Sequence, residues 1–208
     1  MRSGLVFLCL VVGCAVAPRK DPVSFQPRSS ITADDYEDIL EAWTRSDRVY
    51  KEVGSVLHVY ATLRSPELDL AQAARSKRVY GAGGDRIGDR FDSLCRSSSV
   101  TAGGLQFFFA ATTGVSRWND FENRNSIWRV TVENDAGTRV AGVVHKVKVD
   151  ANLRAVYPYV TDLTKAFVVE FPPADHEGKP LHAPETHQLV LRFTSGLAEI
   201  PLYWDLKR

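Results

Sequence analysis

The chain has 208 residues, 44% of them hydrophobic and 25% charged, with 26 Lys and Arg against 25 Asp and Glu. So balanced a charge leaves no general electrostatic reason to bind nucleic acid, and no nucleic-acid partner is expected. Of three cysteines, Cys9 and Cys14 fall in the first 14 residues and only Cys95 lies further on, which excludes a disulfide framework and leaves the hydrophobic core to hold the fold.

The chain opens with Met1-Arg2-Ser3-Gly4, one positive charge, followed by the apolar run Leu5 to Val12 and then Gly13-Cys14-Ala15. That is the layout of a secretory signal, and the apolar run is far shorter than the roughly 20 residues a bilayer span needs. Val11-Val12-Gly13-Cys14 resembles the lipobox of bacterial lipoproteins: an aliphatic residue, a tolerant position, a small residue and the cysteine. The resemblance implies a diacylglyceryl group on the Cys14 thiol, cleavage just before it, and acylation of the new amine, several chains together giving stable anchoring. Ala15, rather than aspartate, in the next position implies export to the outer membrane. The alternative is plain secretion. Cleavage after Ala17 is opposed by Pro18, but cleavage after Gly13 or Ala15 stays open.

This divides the chain into a signal peptide (1–13), a lipidated cysteine with a flexible tether (14–30) and one domain (31–208). The tether assignment rests on Pro18, Pro22 and Pro27 among Arg19, Lys20, Asp21 and Arg28, without apolar periodicity.

Thr32 is placed to cap a helix whose Tyr36, Ile39, Leu40 and Trp43 share one face. Residues 56–63 are β-branched and aromatic and read as a long strand. Ser65-Pro66 starts a second helix that runs to about Tyr80, where Gly81-Ala82-Gly83-Gly84 stops it. From Leu105 the chain becomes β-like, with runs at 105–113, 127–134, 139–149, 166–171, 188–193 and 200–206 separated by turn signals. Short connections without intervening helices favour antiparallel pairing. The expected fold is mainly β, an antiparallel immunoglobulin-like β-sandwich with two added helices in the N-terminal half; a partly closed barrel is the alternative.

The glycine run at 81–88 has arginine at 86 where a dinucleotide loop needs glycine, and it follows a helix rather than a strand. Asp85, Asp89 and Asp92 alternate with Arg86 and Arg90 and do not follow the calcium-loop order. Ser116, in Gly114-Val115-Ser116-Arg117-Trp118, lacks the second glycine of a nucleophile elbow, and Cys95 has no motif around it. No catalytic residue is assigned and no cofactor is expected.

Two segments could carry a function. His176, His182 and His187, with Asp175, Glu177 and Glu185, are metal-ligand types within a short loop, though Pro184 breaks any single helix face. They would serve a metal-binding protein or a metal-dependent hydrolase. The loop between two strong strands carries Arg117, Trp118 and Phe121, a mixture used by protein-binding and sugar-stacking surfaces; the competing role for its aromatics is to plug the end of the sandwich. The expected role is a non-enzymatic envelope module that is held to the membrane through Cys14 and binds another envelope protein or a polysaccharide.

Overall fold

The structure, a computed structural model, describes residues 20–51, 54–81 and 104–207. The lipobox with Cys14, Cys95 and the aspartates at 85, 89 and 92 lie outside the described residues. In chain order the elements are α1 (Tyr36–Trp43), β1 (Thr44–Lys51), β2 (Gly54–Leu63), α2 (Pro66–Tyr80), β3 (Leu105–Thr113), β4 (Arg129–Asn134), β5 (Arg139–Ala141), β6 (Val143–Val147), α3 (Ala151–Val156), β7 (Lys165–Phe171), β8 (Gln188–Thr194) and β9 (Glu199–Asp205). The fold is mainly β. One sheet runs β1-β2-β3-β7-β6 and the other β5-β4-β8-β9, every named pair antiparallel. No helix among the described residues is long and apolar enough to cross a membrane.

β3 explains how the layers stack. Its neighbours are β2 and β7, so it is central, and its three consecutive phenylalanines are all fully buried. Alternate side chains of a strand point to opposite faces, so a strand buried throughout must be covered on both. Phe107 and Phe109 meet the facing sheet, with ring centroids 5.1 Å from Trp204 and 5.1 Å from Phe193 respectively. Phe108 points the other way and stacks at 3.9 Å on Tyr157, which follows α3. The Tyr36 hydroxyl of α1 donates to the Val156 carbonyl at 2.6 Å, tying α1 to the same outer layer.

The two sheets are joined along both sides. On one side, the strand expected over 139–149 divides at Gly142: β5 pairs with β4 and β6 with β7, so the chain passes from sheet to sheet there. A Cβ on Gly142 would stand 2.3 Å from Val169 Cγ2 and 2.7 Å from Phe171 Cε1, so the absence of a side chain is what lets the crossing strand lie on the core. On the other side, Trp204 Nε1 donates to the Trp43 carbonyl at 2.8 Å, and Arg45 Nε to the Tyr203 carbonyl at 2.8 Å.

The α1 face of Tyr36, Ile39, Leu40 and Trp43 is buried as its spacing requires. The cap differs from expectation. Asp35 is the N-cap, without a side-chain bond to the helix amides, and its carboxylate instead accepts from the Thr32 backbone amide at 2.7 Å and hydroxyl at 2.6 Å. Ser65 caps α2 as expected, accepting from the Leu68 amide at 3.2 Å. Glu67, in the first turn of α2, is buried because Trp43 Nε1 donates to it at 2.9 Å and Arg28 pairs with it at 2.9 Å.

Residues 20–30, expected to be tether, lie on the domain. Val23 is buried and bridges Leu206, its amide donating to the Asp205 carbonyl at 2.9 Å while the Lys207 amide donates to its own carbonyl at 2.6 Å. Phe25 packs between Trp43 at 5.3 Å and His182 at 4.6 Å, and Lys20 Nζ donates to the Glu41 carbonyl at 3.0 Å. This strap crosses the end of the sandwich where β1 begins and β9 finishes. The opposite end, reached by the end of β3 and the start of β4, collects the loop at 114–128 and the turns at 161–164 and 195–198.

Candidate functional site

The histidines of the 175–187 segment sit at the strap end and do different things. Asp175 Oδ1 accepts from the Glu177 and Lys179 amides, both at 2.9 Å, and Gly178 adopts φ of +79°, so this is a tight polar turn closed by the Ala174–Pro180 bridge. His176 is almost fully exposed beside Glu177, His182 packs on Phe25, and the His187 amide donates to Asp135 at 3.1 Å. Among the described residues there is no group of three or more His, Cys, Asp or Glu side chains able to hold a metal ion. The residue types that suggested a metal site in the sequence are used here for turn formation and packing.

Burial pushes the His182 imidazole below its ordinary value of 6.5, and burial with the nearby Arg48 does the same for His58. The folded chain therefore binds fewer protons than the unfolded chain as the pH falls through that value. Stability is full above it and declines below it. His182→Gln is expected to flatten the decline, checked by comparing urea midpoints of both proteins at about pH 7 and about pH 5.

The loop end is built differently. Its base is pinned where Gly114 passes the β2 backbone: a Cβ there would lie 2.0 Å from the Ser55 carbonyl oxygen, too close for any side chain. The chain then makes a single 3-10 turn at Ser116–Trp118, with the Trp118 amide donating to the Val115 carbonyl at 2.9 Å. Asn119 is buried, donating from Nδ2 to the Ala111 carbonyl at 2.9 Å while its own carbonyl accepts from Lys165 Nζ at 2.7 Å. The Ser126 hydroxyl closes the far side, donating to Asp120 at 2.9 Å, and Arg129 donates to the Ser126 carbonyl at 2.7 Å. Such cross-bracing presents side chains from a fixed frame.

Phe121 is not among the presented side chains. It is buried against Phe109 and Phe167, each at 5.3 Å, and against Trp128 at 5.7 Å, plugging the core. Its place in the expected partner surface is thus corrected: the deep pocket between the sheets takes it, while Arg117 and Trp118 stay outside. Arg117 is exposed with its guanidinium 5.9 Å over the Trp118 ring, which is itself half-buried.

Several apolar side chains are exposed at the same end of the domain. Val115, Ile127 and Leu197 are exposed, and so are Tyr50 at 59% and Leu163 at 80%. Leu163 stands close to the end of β3, its carbonyl accepting from the Thr112 hydroxyl at 3.0 Å. Sequence reasoning missed Tyr50, Val115, Leu163 and Leu197, because they are far apart in the sequence and only the fold brings them to one end. Two buried polar atoms under this end, Asn119 Oδ1 and Trp128 Nε1, have no hydrogen-bond partner. Arg117, Glu122 and Arg124 of the same loop are exposed.

The outer face of the smaller sheet offers a contrast. Arg139, Glu133, Arg192 and Glu199 form a continuous ladder of ion pairs at 2.6, 3.1 and 2.8 Å, so its charges are satisfied within the sheet. Comparison of the chain with protein-family models, with curated proteins and with solved structures finds no match in any of the three.

Proposed function

We propose that the chain is a lipoprotein of the bacterial cell envelope, carried to the outer membrane and anchored by lipid on Cys14, whose domain is a non-enzymatic binding module. The anchor rests on the Val11-Val12-Gly13-Cys14 lipobox resemblance. The binding role rests on one observation: exposed Tyr50, Val115, Ile127, Leu163 and Leu197, with Arg117 and Arg124, gather at the end of the domain opposite the strap. Isolated exposed apolar residues need no explanation, but a group of them around arginine and tryptophan is the composition of a protein-docking surface.

The immunoglobulin-like plan is proposed on the strand order. β2-β3-β7-β6 facing β5-β4-β8-β9 corresponds to A-B-E-D facing C′-C-F-G, with β1 an added edge strand. In this correspondence the loop at 114–128 joins strands B and C and the turn at 195–198 joins F and G. Those are two of the three loops that recognise ligands in immunoglobulin variable domains. The likeness of plan does not itself give a function; it adds weight to the surface already identified by exposure.

The partner we favour is another envelope protein, met through these apolar residues, with the exposed Arg117, Glu122 and Arg124 of the loop at hand for polar contacts. In-cell crosslinking followed by pull-down tests this with the native chain and the double variant Arg117→Glu, Trp118→Ala. A protein recovered with the native chain and lost with the variant is the expected result. Equal recovery with both, or none with either, overturns the assignment of this surface, and polysaccharide binding by the purified domain is the reading to test in its place.

A further inference from the structure

A sheet ends in strands whose outer amides and carbonyls have no ladder partner, and another chain can pair with such an edge. This sandwich has four edges, and three of them are blocked or cut short among the described residues. Along β9, Pro201 has no amide, the Tyr203 carbonyl accepts from Arg45, and the Asp205 carbonyl and Lys207 amide are bonded to Val23. On β1 the Arg48 amide donates to the Asp47 carboxylate at 2.7 Å, and the register shifts between Val49 and Tyr50. β5 is only three residues long. β6 differs. The Arg64 amide donates to the Gln106 carbonyl and the Gly114 amide to the Val56 carbonyl, so even-numbered residues of β3 bond toward β2 and odd-numbered ones toward β7. Carried across β7, the same alternation turns Ala166, Val168 and Glu170 toward β6, and Val143, His145 and Val147 bond back to them. The amides and carbonyls of Val144 and Lys146 are left on the outer side, where the sheet has no further strand.

We propose that β6 is an edge to which an acidic, extended segment of a partner protein adds as a further strand. The proposal goes beyond the loop-end surface and rests on neither that surface nor the lipid anchor. In strand addition the backbone supplies the pairing, and alternate side chains choose the partner. Residues 139–149 carry Arg139, Lys146 and Lys148 and no acid. Arg139 pairs with Glu133, whereas Lys146 and Lys148 are exposed and have no ion pair among the described residues. Asp150, next in the chain, is bonded to the Leu153 amide, and Glu170, across from Val143, accepts from Gln106. The two lysines therefore attract an acidic strand. They also oppose a second copy, whose pairing here would bring the same lysines near each other. The pleat sets the pattern of the incoming strand. Lys146 lies on one face of the sheet, while Val143, 59% exposed, His145 and Val147 lie on the other. The segment that fits alternates acidic residues on the Lys146 face with β-branched residues on the Val143 face.

The test uses the full chain in detergent solution and the fluorescence anisotropy of a labelled octapeptide in which Glu and Val alternate. It is expected to bind about tenfold tighter than its counterpart with Lys in place of Glu. Lys146→Glu combined with Lys148→Glu is expected to reverse that preference, and both positions are exposed, so the fold is kept. N-methylation removes a peptide donor and leaves the charge unchanged. Methylating either all Glu amides or all Val amides is expected to abolish binding in one of the two cases, according to the direction of the added strand. Binding that tolerates both methylations is attraction by charge alone and overturns the proposal. So does the absence of a preference over the Lys peptide, or a preference that the double variant leaves unchanged. A dimer of the native chain that the peptide dissociates would assign the edge to a second copy and overturn it as well.

Discussion

Phe109→Ala is expected to destabilise the domain by about 3–5 kcal/mol, the range for removing a large aromatic from a close-packed core. Phe109 is fully buried in the central strand, and its ring lies 5.0 Å from Phe167, 5.1 Å from Phe193 and 5.3 Å from Phe121. These neighbours come from β7, from β8 and from the loop before β4, so one side chain joins both sheets and the plug of the loop end. Its backbone is fixed on both sides by pairing with Ala61 and Phe167, which leaves little room for the cavity to collapse. A domain of this kind has about 5–15 kcal/mol of stability in all, and losing such a share would shift the urea midpoint far to the left. Leu163→Ala, at an 80% exposed position, serves as the control and is expected to change stability by no more than about 0.5 kcal/mol. Near-equal midpoints for the two variants would mean that the sheets do not pack through Phe109.

The parts of this fold that were legible in the sequence are those with a period. The α1 face, the Ser65 cap and the dense apolar runs of β2, β3, β7, β8 and β9 all follow from side-chain pattern alone. What was hidden lacks one. β1, Thr-Arg-Ser-Asp-Arg-Val-Tyr-Lys, is an edge strand that is polar along most of its length and takes its conformation from β2. The break at Gly142 is invisible in a run of valines, because it is the approach of Val169 and Phe171 that demands glycine there. α3 is six residues long, too short for its face to show. The strap is held by one parallel bridge, by Phe25 against Trp43 and His182, and by Lys20 and Arg28 on Glu41 and Glu67, none of which leaves a repeat.

The candidate surface divides in the same way. Arg117-Trp118 and Phe121 belong to one loop and look alike in composition, yet the core takes Phe121 and leaves Trp118 half-exposed. Which aromatic plugs and which presents depends on the shape of the space between the sheets. The histidines were misleading for a related reason, since closeness in sequence places three of them in one loop while their side chains serve separate contacts.

The second large effect concerns location. Cys14→Ser removes the thiol that the lipobox resemblance assigns to the diacylglyceryl group, and with it the cleavage that exposes the amine for further acylation. One acyl chain gives only marginal, reversible membrane binding, with an association constant of about 10⁴ M⁻¹, whereas several together hold a protein stably. The native chain is thus expected in the membrane fraction, and the Cys14→Ser chain unlipidated and uncleaved. The strap and core contacts given above are made among the described residues 20–207, so the variant is expected to keep the native urea midpoint while losing its anchor. That separation distinguishes a lost lipid from a damaged fold.

Intact mass spectrometry of the native protein, extracted by detergent from bacterial membranes, tests whether Cys14 carries lipid. The expected product is a chain that starts at Cys14 and carries the added mass of a diacylglyceryl group, with or without a third acyl chain. A chain that starts at Ala15 or Val16, or one that starts at Cys14 with an unmodified thiol, would contradict it.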